Sequence, residues 1–286
     1  MDIVITQGWL NLGWNSMIYK ELFLKDLDQR FADSKARLRI FVSEKNESVT
    51  QRPGMLVCPG GGYFYCSPRE GEPIAYRFLS EGFNCFILDY SIQVKYPDPH
   101  LDLARAFSYI REHEKEFDLI ENSLSIIGFS AGGHLIGSYG YLYPELAKKL
   151  DINESLLRPF SIVMCYPVTT TQIGTVSETR EIITGNDEVL KKKLDIPCNI
   201  TSNYPPTFVM TTKDDQCVPY IHSEMLVKEL KKHNVKYEYH LYDSGQHGCS
   251  MVNRSCYQNQ DITEKMKEIR DWASLASDFI FSLIDK

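Results

Sequence analysis

Ser130 lies in the run Ile126-Ile127-Gly128-Phe129-Ser130-Ala131-Gly132-Gly133-His134, which holds a G-x-S-x-G pattern. A serine so placed can serve as a nucleophile if a buried strand delivers it to a tight turn and a helix departs from it. Such a turn strains the serine backbone and stands the hydroxyl out of the sheet. Neighbouring chain then passes close by, so the positions two before and two after must lack a large side chain. Gly128 and Gly132 meet that demand. A helix opening at Ala131 offers unpaired N–H groups and a positive dipole end to a developing oxyanion. A pattern with three fixed positions arises by chance in many chains, so its context carries the weight. Leu124 to Ile127 is a short apolar run, and Leu135-Ile136 continue a helix-like pattern after the turn.

A serine nucleophile needs a base and an acid. The chain has seven histidines. His134 sits four residues past Ser130 on the same expected helix and would have to fold back over the turn, which suits packing or a pocket wall. His113, His222 and His233 fall on expected helices among polar neighbours and read as surface residues. His240 falls within a strand, and His100 in a proline-rich loop with no role assigned. His247 differs. It occupies Asp243-Ser244-Gly245-Gln246-His247-Gly248, between the last expected strand and the last expected helix. Sites in open α/β sheets form outside the carboxyl ends of the strands. Gly245 and Gly248 let such a loop come close. For the acid, Lys213-Asp214-Asp215-Gln216-Cys217-Val218-Pro219 follows another expected strand. Either aspartate could orient the imidazole; a turn or helix cap is the competing role. After the strand ending at Cys165 no carboxylate occurs until Glu178, which favours the Asp214-Asp215 pair. The order Ser, Asp, His is that of α/β-hydrolases.

The elements that must position these groups can be read along the chain. Residues 1–36 read as an N-terminal arm in which Trp9 and Trp14 are expected to pack by their rings, with lining a binding surface as the competing role. Ala36 to Val42 alternates as a half-exposed strand does. Gly54 to Cys58 is an apolar strand running into Pro59-Gly60-Gly61-Gly62-Tyr63. Contiguous glycines followed by Tyr63-Phe64-Tyr65 match neither a dinucleotide loop nor a G-K-[ST] phosphate loop. They suit bare amides turned toward an oxyanion. Helices are expected over 71–80, 101–117, 220–233 and 264–284, and strands over 83–88, 159–165, 207–211 and 237–242. The polar-mixed stretch 167–205, helix-like from Glu188 to Leu194, reads as a small cap insertion. Strands alternating with helices give an α/β domain spanning 1–286, with a mostly parallel central sheet and helices on both faces.

Composition narrows the partners. A net charge of −7 argues against a nucleic-acid partner held through phosphates. No run of apolar residues has membrane length, and Met1 to Gln7 shows no secretory leader. The eight cysteines form neither C-x-x-C nor a zinc-finger spacing, so reduced, mostly buried thiols in a cytoplasmic protein are expected. Nothing calls for a metal or an organic cofactor. A homodimer is the base-rate expectation for assembly.

Cys-Pro-Gly-Gly-Gly-Tyr at 58–63, Gly-Phe-Ser-Ala-Gly-Gly-His-Leu at 128–135, Asp-Gln-Cys-Val-Pro at 215–219 and Gly-Gln-His-Gly at 245–248 resemble the α/β-hydrolase esterases. Within them the chain is similar to the acetyl-xylan-esterase-like and lipase/esterase-like branch of bacterial cytoplasmic enzymes, over roughly 37–284. The resemblance implies the α/β-hydrolase fold and a serine carboxylesterase acting on short, acetyl-type esters of sugars or xylo-oligosaccharides. In that family D-x-x-V-P carries the acid, which points to Asp215 beside Ser130 and His247. Its oxyanion donors fall on Gly61, Gly62 and Ala131. Many such enzymes have a histidine where this chain has Pro59. Tyr63, Phe64 and His134 are candidates for the substrate pocket, as is Tyr65, with packing under the cap as the competing role for the three aromatics. A serine peptidase or a non-catalytic binding homologue are the rival readings. A peptidase of this fold usually carries a large extra domain, and a binding homologue usually lacks one of the three residues.

Overall fold

The computed structural model describes residues 17–173, 177–258 and 263–285. Trp9 and Trp14 lie outside the described residues. In chain order the elements are β1 (Ile18–Phe23), α1 (Leu24–Leu27), β2 (Arg37–Val42), β3 (Arg52–Cys58), α2 (Glu72–Ser80), β4 (Asn84–Asp89), α3 (Asp98–Glu112), β5 (Leu119–Phe129) and α4 (Ala131–Leu150). Then come β6 (Ile162–Cys165), α5 (Ser177–Thr184), α6 (Glu188–Lys193), α7 (Ile196–Asn199), β7 (Thr207–Thr212), α8 (Ile221–Lys232), β8 (Tyr237–Tyr242) and α9 (Trp272–Ile284).

Among the described residues the strands form one eight-stranded sheet in the order β1-β2-β4-β3-β5-β6-β7-β8. Pairing is parallel from β4 through β8, and β2 runs antiparallel to both β1 and β4. Strand alternation divides the core in two. Leu56, Phe86, Leu124 and Ile126 face α3, α4 and α8 on one side. Met55, Val57, Ile87, Ile127 and Phe129 face α2 and α9 on the other. β5 lies between β3 and β6 with both faces covered, so it is buried at every position from Leu124 to Phe129 rather than alternately.

The structure departs from expectation at both ends. Residues 18–23 belong to the sheet as its edge strand, not to an arm. That strand is almost wholly exposed, so it carries none of the alternation by which a half-buried strand is recognised. Leu38, Ile40 and Val42 pack in one core layer and Phe41 in the other, so β2 is buried at every position from Leu38 to Val42 rather than half-exposed. Arg39 is accommodated there by ion pairs to Glu72 (2.8 Å) and Asp89 (3.1 Å). The helix expected over 264–284 is broken into a 3-10 stretch, Lys265–Ile269, and α9. Two tertiary bonds hold the break: Arg270 Nε donates to the Val252 carbonyl (2.9 Å), and Trp272 Nε1 to that of Ser250 (3.1 Å).

Three histidines are buried in the layer of α3, α4 and α8. His222, expected at the surface, is inaccessible on α8, and its Nδ1 accepts the Thr169 N–H (3.2 Å). His134 on α4 meets the Tyr63 hydroxyl through Nδ1 and the Leu194 carbonyl through Nε2, both at 2.9 Å. His100 bonds Ser138 through Nε2 (2.8 Å). Burial pushes the His134 and His222 imidazoles down to about 4, and His100 well below the ordinary range. Unfolded histidines take up their proton near pH 6.5. Between roughly pH 6.5 and 4 the unfolded chain therefore binds more protons than the folded one, and stability falls as pH falls through that window. The urea midpoint should drop from pH 7.5 to pH 5, and His222→Gln should shrink the drop. A midpoint that does not change between those pH values contradicts this account of the buried histidines.

Candidate active site

β5 ends at Phe129, and Ser130 makes the turn into α4 with φ 52° and ψ −116°, a conformation that side chains with a Cβ rarely adopt. A Cβ on Gly128 would lie 2.4 Å from the Gly132 carbonyl oxygen, and one on Gly132 would lie 2.2 Å from that of Cys58. Glycine at both positions is therefore a packing requirement. The turn is held from β6 and the segment after it. The Ser130 N–H donates to the Cys165 carbonyl (3.0 Å), and the Ser130 carbonyl accepts from Val168 (3.1 Å) and His134 (3.1 Å).

The histidine loop after β8 brings His247 to this hydroxyl. His247 Nε2 lies 2.8 Å from Ser130 Oγ, and Nδ1 lies 2.7 Å from Asp215 Oδ2. A carboxylate can only accept, so Nδ1 carries the proton and Nε2 presents its lone pair to the serine O–H. The Asp215 side chain is fully buried, and its other oxygen accepts the Cys217 and Val218 amides, each at 2.9 Å. The adjacent Asp214 does different work. It accepts the Gly245 N–H (2.6 Å) and the Ser244 hydroxyl (2.9 Å), anchoring the loop that carries His247. A Cβ on Gly245 would lie 2.6 Å from Ile269 Cδ1 and 2.7 Å from Thr212 Cγ2, so a side chain there would displace its neighbours.

The glycine run beyond β3 lies across from the elbow. Gly61 (φ 125°) and Gly62 (φ 65°) have left-handed backbones, and with Ser130 and His247 they line a cleft of about 360 Å³. Ala131 opens α4, where a helix leaves its first N–H groups unbonded within the helix. The carbonyl of Pro59 accepts the Tyr90 hydroxyl (2.7 Å), which fixes the loop where the family often has histidine. Val168 and Val218 supply apolar wall; Arg69, Glu178, Thr179 and Gln216 supply polar groups. A wider groove of about 1100 Å³ adjoins the cleft, with Ser67 in both walls. It is lined by ion pairs such as Arg37–Asp89 (2.8 Å) and holds no serine–histidine pair.

Two pocket candidates from the sequence are corrected. Tyr63 is inaccessible and His134 is 1% exposed; they bond one another beneath the glycine loop and do not line the cleft. The third, Phe64, is 43% exposed and stands outside it. Positive φ at Gly61, Gly62 and Tyr63 turns the chain so tightly that Tyr63 is driven into the core and Phe64 out to solvent. Tyr65, the remaining aromatic candidate, lines the cleft. Sequence reasoning also passed over Glu70 and Tyr166, whose side chains bond each other at 2.7 Å beside the site. Tyr166 carried a usable signal, since it directly follows the carboxyl end of β6. Glu70 carried none: an acid between Arg69 and Gly71 reads as solvated until its buried partners are known.

Among the described residues there is no group of three or more metal-ligating side chains, no disulfide joins the cysteines, and no helix is long and apolar enough to cross a membrane.

Comparison with known proteins bears on the same stretch. Residues 38–230 match the BD-FAE family model. The chain is 30% identical over 226 residues to endo-1,4-beta-xylanase B of Butyrivibrio fibrisolvens, covering 75% of this chain and 35% of that protein. It is 26% identical over 253 residues to an acetylxylan esterase of Xylanibacter ruminicola, covering 83% of this chain and 49% of that one. The chain thus spans at most about half the length of these curated relatives. Among solved structures it resembles an acetyl ester-xyloside bifunctional hydrolase of Caldicellulosiruptor lactoaceticus, with a TM-score of 0.76, 31% identity, and coverage of 87% of this chain and 88% of that one. With the parallel sheet, the strained serine turn and a match across two thirds of its length, this chain belongs to the BD-FAE family of α/β-hydrolases.

Proposed function

We propose that this chain is a serine carboxylesterase that removes short acyl groups, acetyl above all, from acetylated sugars or xylo-oligosaccharides. The observation that carries the reading is the unbroken relay from Asp215 through His247 to Ser130, with bonds of 2.7 and 2.8 Å, set on a strained turn. His247 Nε2 takes the Ser130 proton as the hydroxyl oxygen attacks the ester carbonyl. The amides of Gly61, Gly62 and Ala131 receive the oxyanion, each such donor being worth ~3–4 kcal/mol. The imidazolium, balanced by the buried Asp215, then protonates the leaving alcohol. Water enters by the same route, and the acyl group leaves as an acid.

The cleft supports the substrate class. A volume of about 360 Å³ with valine walls accommodates a short acyl chain. The polar side, with Gln216, Thr179 and Arg69, suits an alcohol rich in hydroxyls. Relatives named for acetylxylan and acetyl ester-xyloside hydrolysis point the same way. Residues 167–205 act here as a cap, since Val168, Glu178 and Thr179 stand at the cleft.

Two outcomes are expected. The kcat/KM for p-nitrophenyl acetate should exceed that for the octanoate by roughly tenfold or more, and acetylated xylo-oligosaccharides should release acetate. A preference for octanoate, or no deacetylation by a folded enzyme, contradicts the substrate class. The adjacent aspartates should separate by function: Asp215→Asn should lower kcat by about 10⁴-fold through the wrong histidine tautomer. Asp214→Asn retains an acceptor for the Gly245 amide and should cost roughly tenfold or less. Equal losses in steady-state assays contradict this division.

A further inference from the structure

One buried carboxyl beside the cleft takes no part in the proposed chemistry. Glu70 is 4% exposed and closes the 3-10 turn Pro68–Glu70 ahead of α2. Its Oε2 accepts the Gly60 N–H (2.8 Å), one residue before the Gly61–Gly62 amides. Its Oε1 accepts the Tyr166 O–H (2.7 Å). The Tyr166 oxygen itself accepts the Ser250 N–H (3.0 Å), so its proton is free to point at Glu70. Both Glu70 oxygens are therefore acceptors, which is the bonding of a carboxylate and not of a carboxylic acid. The approach is tight: a Cβ on Gly60 would lie 2.7 Å from Oε2. On the far side, the Tyr166 ring packs edge-on against the His247 ring, centroids 5.3 Å apart. A single side chain thus touches the glycine loop and, through one tyrosine, the histidine.

We propose that Glu70 is a positioning residue that locks the oxyanion loop to the His247 loop through Tyr166, and that its charge supports His247 while the imidazole carries the Ser130 proton. The proposal rests on the Ser130–His247 reaction above. A buried carboxylate with both oxygens bonded is a costly arrangement, retained only where its bonds are made well. Burial raises the Glu70 carboxyl, against the opposing pull of the Tyr166 and Gly60 hydrogen bonds and of His247 and Arg69. The charged groups around this pair are Arg69 and Asp215. Tyr90, Tyr166, Tyr257, Cys165 and Cys249 also face it and are neutral, because burial pushes each of them up. A negative charge near an imidazole favours its protonated form. The Glu70 charge therefore acts on the imidazolium formed during the reaction, from beside the Tyr166 ring that packs on it.

The test compares Glu70→Gln and Glu70→Asp with the parent enzyme on p-nitrophenyl acetate across pH 5–9, with Ser130→Ala alongside. Glu70→Gln keeps the shape but loses the charge and inverts one hydrogen bond. It should lower kcat by roughly tenfold or more while KM changes by less than about twofold, because the loop meets the oxyanion and not the ground state. Its acid limb should move to lower pH by about half a unit or more. Glu70→Asp keeps the charge but shortens the reach; kcat should fall while the acid limb stays. A merely structural role would lower the urea midpoint and leave the acid limb in place. If Glu70→Gln fails to fold, Glu70→Asp decides: parental kcat overturns the positioning role. Parental kcat and pH profile in Glu70→Gln, with Ser130→Ala inactive, overturn the inference and leave the esterase reading intact. Full activity in Ser130→Ala overturns both.

Discussion

The rest of this structure depends on how closely chain passes the turn at Ser130. Strand β5 and helix α4 meet through one residue, and the Gly132 α-carbon sits against the carbonyls of Cys58 and Pro59. A left-handed serine costs on the order of 1–3 kcal/mol and persists only where its surroundings over-determine it. Here they do: β5 is central in the sheet, and the Ser130 backbone bonds to Cys165, Val168 and His134. The contact that demands glycine at 132 is also what brings the β3 loop, with its own glycines, across from the serine hydroxyl. Strain at Ser130 and placement of the amides opposite are two results of one packing constraint.

Three loops at the carboxyl end of the sheet complete the site, and each is fixed by a carboxylate acceptor, buried in the case of Asp215 and Glu70 and exposed in that of Asp214. Asp215 receives two amides of its own turn while holding His247. Asp214 receives the Gly245 amide and so sets the reach of the histidine loop. Glu70 receives the Gly60 amide and so sets the reach of the glycine loop. Buried carboxylates normally destabilise, but Asp215 and Glu70 have both oxygens bonded. These bonds lie where the proposed reaction would develop charge, and they exist without any substrate.

What could be read from the residues follows from how local each signal is. The serine turn is spelled by its own glycines, and the core strands by continuous apolar runs that only burial on both faces explains. His247 could be chosen from seven histidines because a loop after a parallel strand points to the site end of the sheet. β1 could not be found, because an exposed edge strand such as Ile18–Phe23 has no buried face to impose a period. Tyr63 and His134 looked like pocket residues because they neighbour the glycine run and the serine in sequence. A turn of three left-handed residues reverses that inference. Glu70 and the break ahead of Trp272 are tertiary facts: their partners at Tyr166 and Ser250 lie 96 and 22 residues away.

The central claim is that Ser130, activated by His247, is a nucleophile. The most direct measurement is reaction with a fluorophosphonate followed by intact-mass and peptide analysis. One adduct per chain on Ser130 is expected, absent in Ser130→Ala and formed far more slowly in His247→Ala. A folded protein that takes no adduct, or takes it at another residue, contradicts the account and leaves a hydrolase fold that binds without reacting.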